Sequence, residues 1–202
     1  MSLIERLVAA VTPMESKEQR LEGRKRARAV AGRNDWLCQI LDHHEQIDDL
    51  FVAVRLASDV ASRLEALQEL SWVLTGHANA EESVIYPALV YFGHKTHGMT
   101  GYTEHADAKA NLGLLDYLDP MSIGFLDKLE YVRVAVAHHM YEEESDWFLD
   151  LKRIPAPEQV RLTARYMEEF HRYVDSSEDD PFRRQASRLG AQKDEQPEGP
   201  RP

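Results

Sequence analysis

The sequence predicts an all-α protein: an up-down-up-down four-helix bundle with an N-terminal extension and an extra C-terminal helix. Three observations predict it. Apolar residues recur at helical spacing along four long stretches, which gives each one a single apolar face. The breaks between these stretches are short and rich in Gly, Pro, Ser and Asp, as connections between antiparallel neighbours are. No stretch shows the strict alternation of a half-buried strand.

Residues 1–33 form the extension. Met1 to Val11 is apolar but carries Glu5 and Arg6, and reads as a short amphipathic helix rather than a signal peptide. Residues 17–33 hold seven Lys/Arg against two Glu and read as a solvated basic helix or arm; docking on the acidic remainder and binding an anionic partner are the alternatives.

The first bundle helix spans about residues 34–57, with Leu37, Ile40, Leu41, Ile47, Phe51 and Val54 in phase and Asn34 or Asp35 as N-cap. Ser58 or Asp59 caps the second, whose face carries Leu64, Leu67, Leu70, Leu74, Val84 and Ala88 and which Gly93 closes. Residues 93–101 read as a loop by their glycines, and the third helix runs over 103–118 until Asp119-Pro120 stops it.

Ser122 starts the fourth, about 30 residues long, with Leu126, Leu129, Val132, Val136 and Met140 in phase. Pro155 and Pro157 separate a fifth helix over 157–173, and the polar, Pro-containing residues beyond 175 read as disordered. The expected division is therefore 1–33 arm, 34–174 bundle with its C-terminal helix, and 175–202 tail.

Composition narrows the functions. A chain of 202 residues with 43% hydrophobic and 29% charged residues is long enough for one domain with a real core. A net charge of −11 argues against a general nucleic-acid binder, because phosphate contacts need clustered cations. No apolar run reaches the 18 or so residues of a membrane span, so a cytoplasmic protein with no membrane partner is expected. The single Cys38 rules out an internal disulfide or a thiolate metal cluster and reads as a buried, inert thiol. Oligomeric state stays open.

The chemistry lies in two His-x-x-x-Glu pairs, His77/Glu81 and His139/Glu143, set 62 residues apart inside the apolar stripes. Each has a histidine upstream at nearly the same distance: His44 is 33 residues before His77, and His105 is 34 before His139. Residues at i and i+4 share a helix face. Imidazoles and carboxylates buried among leucines are costly unless matched, either by one another or by a metal.

A single pair is more simply a buried hydrogen-bonded network. The doubling, with two further histidines at matched spacing, favours a dinuclear metal site built from His44, His77, Glu81, His105, His139 and Glu143. Four imidazoles and two carboxylates without thiolate suit iron, manganese or zinc. The His-Glu-x-x-His motif is absent, and neither Glu81 nor Glu143 is followed by a His three residues on, as the Glu-x-x-His carboxylate sites require.

Together, His44-x-x-Ile47-x-x-Leu50-Phe51, His77-x-x-x-Glu81-Glu82 running to Tyr86-Pro87, Glu104-His105-x-x-x-Lys109 and His139-x-x-x-Glu143-Glu144 running to Phe148 resemble the hemerythrin-like (HHE cation-binding) domains over about residues 35–151. The resemblance implies a non-haem di-iron centre that binds oxygen or senses small oxidants. His44 and His77 would hold one iron, His105 and His139 the other, and Glu81 and Glu143 would bridge.

Lys109 stands where the oxygen carriers have a fifth histidine, so one iron would lack a nitrogen ligand. The last carboxylate of those carriers is an Asp one residue further from its His. Both departures turn the expectation from reversible oxygen carriage toward sensing dioxygen, nitric oxide or peroxide, or handling iron. A di-iron enzyme consuming hydrogen peroxide and a metal-free helical interaction module remain alternatives.

Three ligand positions have rivals: His43 beside His44, Glu104 beside His105, and His138 beside His139. The family pattern prefers His44, and the phase with Val132 and Val136 prefers His139. His94 and His97 read as exposed loop residues. Tyr86, Tyr102 and Tyr141 read as core or rim residues, with a phenol able to hydrogen-bond near the centre.

Overall fold

The computed structural model describes residues 15–178, which form six helices and no strand. The expected helix over residues 1–11 and the expected disorder of 179–202 lie outside the described residues.

Helix α1 is Lys17–Val30, opened by a Ser16/Gln19 capping box, and α2 is Trp36–Leu56, capped by Asp35. Helix α3 covers 60–91: Asp59 caps Val60–Ala80, a π-helical turn follows at Glu81–Ile85, and Tyr86–Tyr91 ends at Gly93, whose φ is +100°. Helix α4 is Lys95–Gly113, with a 3₁₀ turn at Leu114–Tyr117. Helix α5 covers 123–151 in the same three-part form as α3: Ser122 caps Ile123–Glu142, a π-helical turn follows at Glu143–Trp147, and Phe148–Leu151 completes it. Helix α6 is Ala156–Glu178.

Four expectations need correction. Leu64, expected on an apolar face, is exposed, and Cys38, expected buried, is half-buried. Residues 95–101 are helical rather than loop. Their glycines serve close approach, not chain reversal: a Cβ on Gly98 would lie 2.9 Å from the Tyr86 carbonyl oxygen, and one on Gly101 would lie 2.5–2.9 Å from the Tyr86 ring. Residues 175–178 continue α6 instead of starting a disordered tail.

Packing closes a ring in which α2 contacts α3, α3 contacts α4, α4 contacts α5 and α5 contacts α2. Helix α6 lies against α2 and α3, and α1 lies against α2 and the end of α5. The core divides into two apolar clusters.

One joins Trp36, Leu37 and Ile40 of α2 to Ile85, Tyr86 and Leu89 of α3, Trp147 and Phe148 of α5, and Tyr166 of α6. The other joins Ile47, Phe51 and Val54 of α2 to Leu67, Leu70 and Leu74 of α3, Leu112 and Leu115 at the end of α4, and Phe125, Leu129 and Val132 of α5. Each fully buried large side chain contributes about 1.5–3 kcal/mol. Buried Arg63 closes the far end, its guanidinium donating to the carbonyls of Val54, Arg55, Ala57 and Pro120. Among the described residues no helix is long and apolar enough to cross a membrane.

Candidate metal centre

Between the two apolar clusters lies a buried polar layer. His44, His77, Glu81, His105, His139 and Glu143 are each 5% exposed or less. The helices converge them into two overlapping groups whose candidate donor atoms all lie within 4.8 Å of one another: His44, His77, Glu81 and Glu143, and then Glu81, His105, His139 and Glu143. Both carboxylates belong to both groups. The inward contacts run from His77 Nε2 to Glu81 at 3.1 Å, His139 Nε2 to Glu143 at 3.2 Å, His44 Nε2 to Glu143 at 3.4 Å and His105 Nε2 to Glu81 at 3.5 Å.

The opposite nitrogen of each ring is held from behind. Nδ1 of His44 meets Glu144 at 2.8 Å, that of His105 meets Glu82 at 3.1 Å, that of His139 meets Glu104 at 2.7 Å, and that of His77 meets the Tyr166 hydroxyl at 3.2 Å. A carboxylate can only accept, so it fixes a proton on Nδ1 and turns Nε2 inward. Outer partners of this kind orient metal-binding imidazoles and raise their basicity.

The three rivals, His43, Glu104 and His138, lie outside the two groups. His43 turns to Tyr166 at 2.9 Å and stacks on Phe170, Glu104 backs His139, and His138 pairs with Glu15. His94 and His97 stay out of the layer, but His97 is half-buried within α4 and stacks on Trp147, not exposed in a loop.

Protonation in the metal-free chain reports the same crowding. Burial favours the neutral ring, yet Glu143 and Glu144 overcome it and hold His44 up at about 9; His139 is likewise raised, by Glu143 and Glu104. Burial lowers His77, aided by the charge on His44, and takes His43 to about 3. Burial and the neighbouring Glu143 raise Glu81 to about 8, while the adjacent imidazoles His139 and His44 keep Glu143 low against its burial. Protons thus supply the positive charge that this layer requires.

The layer fits a cation on a separate ground. His44 Nε2, Glu81 Oε1 and Glu143 Oε2 are buried and make no hydrogen bond, although His44 Nε2 and Glu143 Oε2 approach to 3.4 Å. Such atoms are rare in folded proteins and mark a missing partner. Four imidazoles and two carboxylates are donors of the kind that iron, manganese and zinc accept.

Sequence periodicity missed the backing residues. Glu82 and Glu144 each follow a site carboxylate directly, a doubled Glu-Glu that was a usable signal. Both π-helical turns begin at the site carboxylates, and single-turn π-bulges concentrate at functional sites. A cavity of about 160 Å³ reaches the layer past Ile47, Leu74, Ala108, Val132 and Val136 to His77, His105 and His139.

Fold and layer together define a helical, metal-binding class of protein. The family model of the hemerythrin HHE cation binding domain matches residues 37–151, and the chain belongs to that family. The chain is also 27% identical over 121 residues, 60% of its length, to a protein named DNA nickase from Nostoc sp. (strain PCC 7120 / SAG 25.82 / UTEX 2576). It spans about a third of that relative, 34% of whose length is matched. No solved structure matches.

Proposed function

We propose that this chain is a non-haem di-iron protein that binds or senses dioxygen, nitric oxide or peroxide, or handles iron. His44 and His77 would hold one metal and His105 and His139 the other, with Glu81 and Glu143 available to both. The observation that carries this reading is the pair of overlapping four-residue groups sharing both carboxylates. The short connections, and the order in which the helices enter the two apolar clusters, support an up-down-up-down bundle around the centre.

Iron in this setting supplies Lewis-acid and one-electron chemistry toward small oxidants. The chain's own residues hold and orient. Glu82, Glu104 and Glu144 keep the Nδ1 protons in place, and the mostly apolar cavity of about 160 Å³ beside the layer has room for a small molecule.

The relative's name concerns DNA. A net charge of −11 supports a reading of this chain without a nucleic-acid partner. The basic helix α1 supports it too, because Arg24 and Arg28 are committed to Glu144, Asp48, Asp42 and Glu45 within the fold.

Elemental analysis of protein from iron-supplied cells tests the proposal. Two irons per chain are expected, with loss in His77→Ala and His139→Ala. An iron-free chain whose stability is unmoved by either substitution would sink it. Steady peroxide turnover that disappears with the metal would select the enzyme reading over the sensor.

A further inference from the structure

The ligand set above leaves a buried phenol unused. Tyr86 is fully buried, and its hydroxyl oxygen lies 2.8 Å from His105 Nε2, 3.0 Å from His139 Nε2, 3.0 Å from Glu143 Oε1 and 3.4 Å from Glu81 Oε2. These are the four residues of the second group. Metal–ligand bonds of about 2.1 Å at right angles set neighbouring donors about 3 Å apart. The phenol oxygen therefore stands to those four atoms as a fellow donor stands to its neighbours.

The position is built to hold the ring. Gly101 lies so close that a Cβ there would come within 2.5 Å of the Tyr86 Cζ, and Tyr102 meets the ring edge-on at 5.3 Å between centroids. The amide of Tyr86 donates to the Glu81 carbonyl across the π-helical turn. In an α-helix, a residue five positions on would lie about 140° around the axis; the wider turn brings Tyr86 to the same side as Glu81. Lys109 turns elsewhere, to Glu82 at 2.7 Å and Asn79 at 3.0 Å. On the opposite side, Tyr166 meets His77 at Nδ1, behind the ring, and offers no equivalent donor.

We propose that Tyr86 is a ligand to the metal of the His105/His139 side, bound through its deprotonated oxygen. This rests on the two-metal reading and makes the two sites unequal, with five protein donors on that side against four on the His44/His77 side. On binding, the phenolic O–H bond is replaced by an O–metal bond and the proton leaves to water, in keeping with proton release on metal uptake. The added negative charge favours the more highly charged state of that metal over its neighbour's.

The test uses the full chain loaded with ferric iron. The wild type should show a visible phenolate-to-iron charge-transfer band, with phenolate ring vibrations enhanced in its resonance Raman spectrum. Tyr86→Phe should keep two irons and lose both signatures. Tyr102→Phe and Tyr166→Phe should retain them, an assignment that holds even if Tyr86→Phe does not fold. Two bound irons with no phenolate signature, or a signature that survives in Tyr86→Phe, would overturn the ligation and leave the two-metal reading standing. A chain that takes up no iron would overturn both.

Discussion

The two sides of the centre use the same ligand types but are backed differently. Behind His44, Glu144 is 1% exposed and bound by Arg24 of α1; behind His77, Tyr166 of α6 is fully buried beside His43. Behind His105 and His139 stand Glu82 and Glu104, whose side chains are 26% and 31% exposed, and the cavity opens nearby. Helices outside the four-helix ring therefore seal one side, and the ring alone serves the other. The basic stretch and the last helix become part of the site's support rather than decoration.

The sharpest way to break this contrast is to remove a group both sides share. Glu143→Ala should reduce metal content from two per chain to below one, because Glu143 belongs to both groups. In the metal-free chain it leaves His44 and His139 buried without a main charge partner, and losing one member of a buried pair costs about 3–5 kcal/mol. Elemental analysis and thermal melting read the two effects. Two metals retained in this variant would show that neither side depends on Glu143.

Next in size is the pH dependence of the metal-free chain. His44 is raised from 6.5 to about 9, so its contribution is full below 6.5 and is lost as pH rises through 9. Glu81, raised from 4.5 to about 8, acts in the same direction. His43, lowered from 6.5 to about 3, works oppositely: its contribution is present above 6.5 and is lost as pH falls through 3. The melting temperature of the metal-free chain should therefore fall between about pH 6.5 and 9. The metal-loaded chain should hold level there, because metal replaces the protons. Parallel curves for the two forms would mean that the metal binds elsewhere.

How legible this site was follows from helix geometry. His77/Glu81 and His139/Glu143 were readable because i and i+4 share a face along the regular part of α3 and α5. Tyr86 was legible only as one of three core or rim tyrosines with a phenol near the centre, because the π-helical turn at Glu81–Ile85 shifts the phase and a count of 100° per residue places it off the site. The glycines at 98 and 101 misled for a related reason: their role is contact with Tyr86, which only the packed structure reveals. Arg24 lies 120 residues from Glu144, beyond the reach of any periodicity.

Outer-partner substitutions sharpen the contrast one side at a time. Arg24→Ala frees Glu144 from its cation and should weaken metal at the His44 side about 10- to 100-fold, the usual cost of losing an outer-shell partner. Glu104→Ala should weaken the His139 side by a similar factor. Stepwise metal titration distinguishes them, since each variant should soften a different one of the two binding steps. Equal softening of both steps in Arg24→Ala would mean that α1 acts on the whole bundle rather than on one side.

The smallest effect should come from the cavity. Ala108 lines it beside Ile47, Leu74 and Val132, and its methyl side chain can make no polar contact with the six proposed ligands. Ala108→Phe fills space that leads to His77, His105 and His139. Metal content should stay at two per chain and melting should shift by no more than the 1–3 kcal/mol typical of overpacking, about the cost of a few displaced side chains. The reaction of the reduced protein with nitric oxide, followed by stopped-flow absorption, should slow while its end point is unchanged. An unaltered rate would mean that small ligands reach the centre by another route, and the open side of the contrast would have to be sought beyond this cavity.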